Sequence, residues 1–409
     1  MKRIVILGGS SPFVIGLFSA LDPYVARLAS TEIVLHGRAA ARLEAVAAYA
    51  RARLGPAGPK VSAETDLDKV LAGADIVINQ IRFGGLDARQ RDEQLATDFG
   101  LIADETVGPS GLLSAICQTE PLIQLGRKLR QACPSAWILN LTNPLSVATA
   151  LLAQEMGAAR VVGLCELPTV TAQGLARLVD LPFEALSWSY TGLNHRGFIH
   201  DLTAGGESLL PLVLDRLGDG DFAGIPARTI ADLGAVPLKY FRFFCTDAVP
   251  AAGRAAELMQ LTDRLAAQLE RDPATEPAGS RDRHTPWYDH AVAPALHALV
   301  AGEPFVTTAN FADDGGGIRP LCERKVRFAK DGIELLADRP PPGPVRTWVE
   351  RFEAQEDAIL AACFTPSVES VAAALERDPL VPPRVVPQLA RRIMELAGAG
   401  PSVEATGAA

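Results

Sequence analysis

An excess of basic charge is the first thing this 409-residue sequence lacks: 39 Lys and Arg stand against 48 Asp and Glu, a net charge of −9. So acidic a chain carries no overall electrostatic footprint for nucleic acid or for an anionic membrane surface, although a local basic pocket stays open to it. Cysteine is scarce too. Six in so long a chain, with no regular spacing and no CxxC pair, exclude a disulfide scaffold and point to a reducing, cytoplasmic setting. No apolar stretch reaches the roughly 20 residues of a membrane helix, because Pro, Gly, His or charge interrupts every candidate. At the N-terminus, Ile4-Val5-Ile6-Leu7 is too short for a secretory signal before Gly8-Gly9-Ser10-Ser11-Pro12 breaks it, so it reads as a first strand. With 48% apolar and 21% charged residues, disorder is excluded as the dominant state and the expected partner is a small molecule.

What is present is an alternation of strand and helix signals as far as Cys165. Short β-rich runs occur at Ile4–Leu7, Ile33–Leu35, Ile76–Ile78, Trp137–Leu141 and Val161–Leu164, each followed by turn residues or an amphipathic Ala/Leu/Arg stretch. Continuous apolar strands with helical crossovers predict a parallel sheet covered on both faces, a Rossmann-type doubly wound α/β domain over residues 1–168. After Asp180 the rhythm changes to mixed strands, Pro-rich turns and long helices, predicting a second α+β substrate-binding domain over 169–409 with no separate linker and no internal repeat. Pro340-Pro341-Pro342-Gly343-Pro344 reads as a structural turn inside it, and the tail from Gly398 to Ala409 as a frayed end.

A parallel sheet whose first strand ends in glycines suggests a nucleotide site, because bare backbone and a helix N-terminus let phosphates approach amide N–H groups. Gly8, Gly9, Ser10 and Ser11 form that turn, without the third glycine of GxGxxG. His36-Gly37-Arg38 stands where an acidic residue would accept from the ribose hydroxyls of NAD; Arg38 suits the 2′-phosphate of NADP or is simply solvated. The choice between NAD and NADP stays open.

More specific blocks follow in order: Arg82-Phe83-Gly84-Gly85-Leu86-Asp87-Ala88-Arg89, Arg91-Asp92-Glu93, Asp104-Glu105-Thr106-Val107-Gly108-Pro109-Ser110-Gly111, Asn140-Leu141-Thr142-Asn143-Pro144, Gly163-Leu164-Cys165-Glu166-Leu167-Pro168, Gly192-Leu193-Asn194-His195 and Val236-Pro237-Leu238-Lys239-Tyr240-Phe241-Arg242. This colinear series resembles glycoside hydrolase family 4, more faintly through Arg283-His284-Thr285-Pro286-Trp287-Tyr288 and Gly315-Gly316-Gly317-Ile318-Arg319-Pro320-Leu321. The resemblance implies a glycosidase needing NAD and a divalent metal, usually Mn2+, and no carboxylate pair. It implies oxidation at C3 of the sugar, removal of the C2 proton, elimination of the aglycone, water addition and return of the hydride. It further implies a homodimer or homotetramer.

In that scheme Cys165 and His195 match the metal ligands; thiolate plus imidazole tolerates manganese but by softness alone would favour zinc or iron, so the pair does not fix the ion. Taken singly they read as a buried strand-end cysteine and a loop histidine. Tyr240 matches the proton-abstracting base, a role that needs its phenol lowered by a neighbouring cation or a metal-linked network, with Lys239 and Arg242 close in sequence; the competing reading is a core tyrosine among Phe241, Phe243 and Phe244. Glu166 matches the leaving-group acid of α-specific members, or else supports the metal ligands without touching the metal, whereas the surroundings of Tyr240 and the Thr-Asn-Pro block are closer to β-specific ones. Arg89 and Arg283, with Arg82, suit a phosphate at C6 of the substrate, or are surface arginines. Asn143, Glu105 and Asn194 are sugar-contact candidates, and Asn140 joins Gly8, Gly9, Ser10, Ser11 and Arg38 as a cofactor candidate. The leading expectation is a 6-phospho-β-glucosidase, ahead of a 6-phospho-α-glucosidase or α-galactosidase. The reading from another class is an ordinary dehydrogenase on the lactate and malate dehydrogenase plan, which would release NADH.

Overall fold

The computed structural model describes residues 1–247, 253–311 and 321–398; the 315–320 glycine block and the tail beyond Gly398 lie outside the described residues. Six parallel strands run through the first part of the chain: β1 (Arg3–Leu7), β2 (Glu32–His36), β3 (Lys60–Glu64), β4 (Ile76–Asn79), β5 (Trp137–Asn140) and β6 (Val161–Leu164). Their order in the sheet is β3-β2-β1-β4-β5-β6, so the chain reverses its winding direction beside β1 and leaves a crevice at the strands' C-terminal ends. Five of the six are the β-rich runs of the sequence, and Val-, Ile- and Leu-rich segments buried on both faces are what a covered parallel sheet requires. The exception is β3, Lys60-Val61-Ser62-Ala63-Glu64, an edge strand with only Val61 buried and therefore without an apolar signature.

Beyond Asp180, among the described residues, only the short ribbon of Asp221–Phe222 and Ile225–Pro226 forms a sheet apart from the first. Strands β7 (Leu186–Leu193), β8 (Arg196–Ala204), β9 (Val236–Pro237), β10 (Phe305–Phe311), β11 (Glu323–Ala329) and β12 (Gly332–Leu335), with the two-residue strand Glu207–Ser208 beside β8, extend the first one antiparallel, β10 pairing directly with β6, to a total of 13 strands. The later helices also return. Leu269 and Leu296 lie in one core with Ile4, Leu17 and Leu35, while Leu360, Val371 and Leu389 lie in another with Val5, Leu112 and Leu125. The proline-rich turn leads into the long helix Gly343–Phe364, with Pro344 in its first turn, where a missing N–H costs nothing.

One transverse row crosses ten strands at the edge of the parallel half: Glu64, His36, Leu7, Asn79, Asn140, Gly163, Asn310, Glu323, Gly192 and Gly197 stand opposite one another in sequence. The loops that leave this row carry most of the residues considered below.

A buried ion pair ties the helix Gly343–Phe364 to the turn end of the β7–β8 hairpin. Arg196 donates to Glu356 at 2.8 Å and to Gln355 at 2.9 Å, and the Ser146 hydroxyl donates to the same Glu356. Burial pushes the Glu356 carboxyl up, against the pull of Arg196 and Ser146. Arg196→Met should therefore leave an unpaired buried carboxylate and lower unfolding stability in urea by about 3–5 kcal/mol, much of it recovered by adding Glu356→Leu.

Candidate active site

The turn after β1 is tight because its backbone lies against β2. The Gly9 N–H donates to the His36 carbonyl at 2.7 Å, and a Cβ on Gly9 would stand 2.9 Å from the Leu35 Cβ. Ser10 is buried against Gly37, Ser11 donates its N–H to the Gly8 carbonyl, and Pro12 opens the next helical turn. The result is a close backbone approach followed at once by a helical turn, a shape suited to a dinucleotide's phosphates. Arg38 is exposed beyond the end of β2. Asn140 is fully buried and its amide is occupied internally: it accepts from Asn79 at 2.8 Å and donates to Thr149 at 3.0 Å. It holds the β4 and β5 ends together, an indirect part in any cofactor site.

The β7–β8 hairpin closes through two residues, Asn194 and His195, with Leu193 paired to Arg196. His195 takes the left-handed conformation, φ 64°, unusual for a non-glycine residue and found where surrounding contacts enforce it. Its Nδ1 lies 2.9 Å from the Thr106 hydroxyl, which also meets Asp104 Oδ1 at 2.9 Å. That carboxylate oxygen already accepts from the backbone N–H groups of Thr106 and Val107. The hydroxyl therefore donates to Asp104 and can only accept from His195, which fixes the proton on Nδ1 and leaves Nε2 with a lone pair. Burial lowers the His195 pKa to about 3, so the ring is neutral.

On the other side of the turn, Asn194 donates to Glu323 at 2.9 Å and hydrogen-bonds Cys165, which follows β6. Cys165 is buried, and burial with Glu166 and Glu323 nearby pushes its thiol up. Glu166 is half-buried, 3.7 Å from the sulfur. Tyr240 stacks face to face on His195, ring centroids 4.2 Å apart at 4°, within the electrostatic reach of Cys165, Glu166, Asp104 and Glu105. Sulfur, imidazole and phenol are thus neighbours. The aromatic run separates accordingly: Phe241 packs on Phe198 and Trp348 in the core, while Tyr240 turns to the site.

One sequence expectation is corrected here. The neighbouring cations do not prevail at the Tyr240 phenol: Arg242 lies over Phe243, Lys239 sits 5.4 Å from the centroid of the Tyr240 ring, and burial plus surrounding acids push the phenol well above its usual value.

Beside these groups, Arg82 and Arg89 both donate to Glu105, at 2.7 and 2.8 Å, and Arg89 also donates to Glu93 at 2.6 Å. Arg283 lies between the rings of Phe13 and Trp287, 4.4 and 5.3 Å from their centroids, close enough to the other two guanidiniums to feel their repulsion. Burial first, with Arg82 and Arg89 adding to it, lowers Arg283 to about 10, still protonated at neutral pH. The cations hold Glu105 at about 2 despite its burial.

Sequence models of "Family 4 glycosyl hydrolase" match residues 3–181, and of its C-terminal domain residues 190–381. The chain belongs to glycosyl hydrolase family 4. Curated relatives of this family-4 chain include a Bacillus subtilis protein named "Probable 6-phospho-beta-glucosidase", 26% identical over 93% of this chain and 92% of its own length. A 6-phospho-beta-glucosidase of Thermotoga maritima is 27% identical over 54% of each. Among solved structures, that of a Thermotoga maritima 6-phospho-beta glucosidase with manganese, NAD+ and glucose-6-phosphate superposes with a TM-score of 0.83 at 21% identity, over 97% of this chain and 98% of that one. A malate dehydrogenase of Plasmodium falciparum superposes with a TM-score of 0.51 at 9% identity over 89% of this chain and 99% of that one, a likeness of fold.

Of the residues picked from the sequence of this family-4 protein, Cys165, Glu166, Asn194, His195, Tyr240 and Glu105 lie together, with Arg89 and Arg283 beside Glu105. Asn143 is half-buried at the end of β5 and its carbonyl accepts from Gln118. Sequence reasoning missed Thr106, Asp104 and Glu323 as partners of the hairpin turn. In long-range 1H–15N spectra, His195 should show the Nδ1–H tautomer and no titration between pH 8 and about 4.5, where an exposed histidine would titrate near about 6.5. Thr106→Val should abolish the tautomer preference.

Proposed function

We propose that this chain hydrolyses a glucoside phosphorylated at C6, with the β-anomer preferred, holding NAD and a divalent metal, Mn2+, as resident cofactors. The observation that carries the reading is the convergence of Cys165, His195 and Tyr240, with three guanidiniums gathered about the neighbouring Glu105. Relatives named 6-phospho-beta-glucosidase support the substrate class.

The residues suit both groups. Among the described residues no cluster of three or more His, Cys, Asp or Glu side chains could hold a metal by itself. Two donors, the Cys165 sulfur and the His195 Nε2 left free by Thr106, fit an open site completed by sugar oxygens or water, unlike a closed structural site. The Gly8–Ser11 turn fits the pyrophosphate of a dinucleotide. When bound, NAD takes up and returns a hydride while the metal polarises sugar oxygens and offsets the acidic surroundings of Tyr240.

The remaining work falls to the chain. Tyr240 Oη takes the proton from C2; stacking on His195 fixes its plane and its distance from the sugar. Glu166, half-buried beside Cys165, protonates the glycosidic oxygen. Arg82, Arg89 and Arg283 face Glu105 and Glu93, leaving one net positive charge and a set of forked donors that match a phosphate. Glu105 and Asn194 contact sugar hydroxyls. A cytoplasmic location suits the thiol chemistry, as all six cysteines are free. A homo-oligomer completes the reading.

The test is a panel of p-nitrophenyl α- and β-glucosides with and without 6-phosphate. The β-6-phosphate should be cleaved only with both NAD+ and Mn2+ and with no net NADH. Arg89→Lys should raise KM for it about tenfold or more, a loss of roughly 1.4 kcal/mol or more, at nearly unchanged kcat. Steady NADH accumulation without release of p-nitrophenol would overturn the proposal.

A further inference from the structure

Glu323 has no part in the chemistry above, yet it occupies a singular position. It lies 1% exposed in the transverse row of the sheet, opposite Gly192 of β7 on one side and Asn310 of β10 on the other. Gly192 is two residues before the Asn194–His195 turn, and Asn310 stands opposite Gly163, two residues before Cys165. Glu323 therefore sits between the two strands that deliver the two metal donors.

Both carboxylate oxygens are engaged. Oε1 accepts from the Asn194 amide at 2.9 Å and Oε2 from the Tyr190 hydroxyl at 2.5 Å. Asn194 in turn reaches Cys165. The hairpin is shaped to admit this bond: a Cβ on Gly197 would stand 1.9 Å from the Tyr190 Oη, so only glycine there lets the phenol lie across β8 and reach the carboxylate. Tyr190 is 2% exposed, so neither group has water as an alternative partner.

We propose that Glu323 is a positioning residue that clamps the Asn194–His195 turn to the Cys165 loop, setting the separation and orientation of the sulfur and the imidazole. Asp104, through Thr106, fixes the proton on the ring; Glu323 fixes the backbone that carries the ring. Partners that orient metal ligands without touching the metal typically govern affinity by about 10–100-fold. The inference rests on Cys165 and His195 being the metal ligands, and its test separates the two.

Mn2+ binding to the full chain without NAD is measured from the electron paramagnetic resonance signal of free Mn2+, alongside the melting temperature without metal. His195→Ala should lose Mn2+ binding. Glu323→Ala should weaken it about tenfold or more, and Glu323→Gln should stay within about threefold of wild type, since its carbonyl still accepts from Asn194 and its amide can donate to the Tyr190 oxygen. Should Glu323→Ala not fold, Tyr190→Phe, which frees one carboxylate oxygen, should weaken Mn2+ by about threefold. Unchanged affinity in Glu323→Ala or, failing that, in Tyr190→Phe, with only the melting temperature lowered, would overturn the clamp. So would a Gln variant as weak as Ala, which would mean that charge acts instead of geometry. Unchanged binding in His195→Ala would instead remove the metal site itself, and the clamp with it.

Discussion

The site depends on one two-residue turn held from both sides. Asn194 and His195 close the β7–β8 hairpin with His195 in a left-handed conformation that isolated backbone disfavours, and buried polar groups compensate. On one side Thr106 and Asp104 determine which imidazole nitrogen carries the proton. On the other, Glu323 holds Asn194. Because Tyr240 stacks on the same imidazole, the orientation of the proposed base inherits that of the proposed ligand. A disturbance of the turn would reach sulfur, ring and phenol together.

Charge is distributed to match. Around Tyr240 the acids and the loss of solvent dominate, and the phenol is held neutral until further positive charge approaches it. A short distance away, three guanidiniums outnumber the two carboxylates they face. A chain of net charge −9 thus gathers cations at one place, where desolvated, forked donors discriminate an anion far better than exposed lysines would.

The parallel half of the sheet was legible in the sequence because its strands are buried on both faces and therefore nearly free of polar residues; β3 was not, since an edge strand needs no such composition. The change of rhythm after Asp180 signalled a second α+β part without a linker, but not how its strands pair. Antiparallel strands β10 and β11 continue the first sheet, and the later helices cover both of its faces, a long-range pairing that no local pattern encodes. In the site, residues inside short blocks, such as Cys165, His195 and Tyr240, were visible. Glu323 was invisible: a lone glutamate two residues after a faint glycine block acquires meaning only when sheet order sets it against Gly192. Thr106 and Asp104 lay inside a recognised block, but their roles follow from hydrogen-bond direction, which spacing does not carry. Lys239 and Arg242 misled for the opposite reason, since closeness in sequence to Tyr240 did not let their charge prevail at its oxygen.

The account stands on the Tyr240 phenol removing a proton from the sugar's C2 while His195 holds it in place. Turnover in D2O with NAD+, Mn2+ and a 6-phospho-β-glucoside, followed by NMR of the released sugar, tests this most directly. The account predicts deuterium at C2 with the wild type and loss of both turnover and incorporation in Tyr240→Phe, with Mn2+ and NAD+ still bound. A product with protium retained at C2, or a Phe variant as active as the wild type, would contradict it.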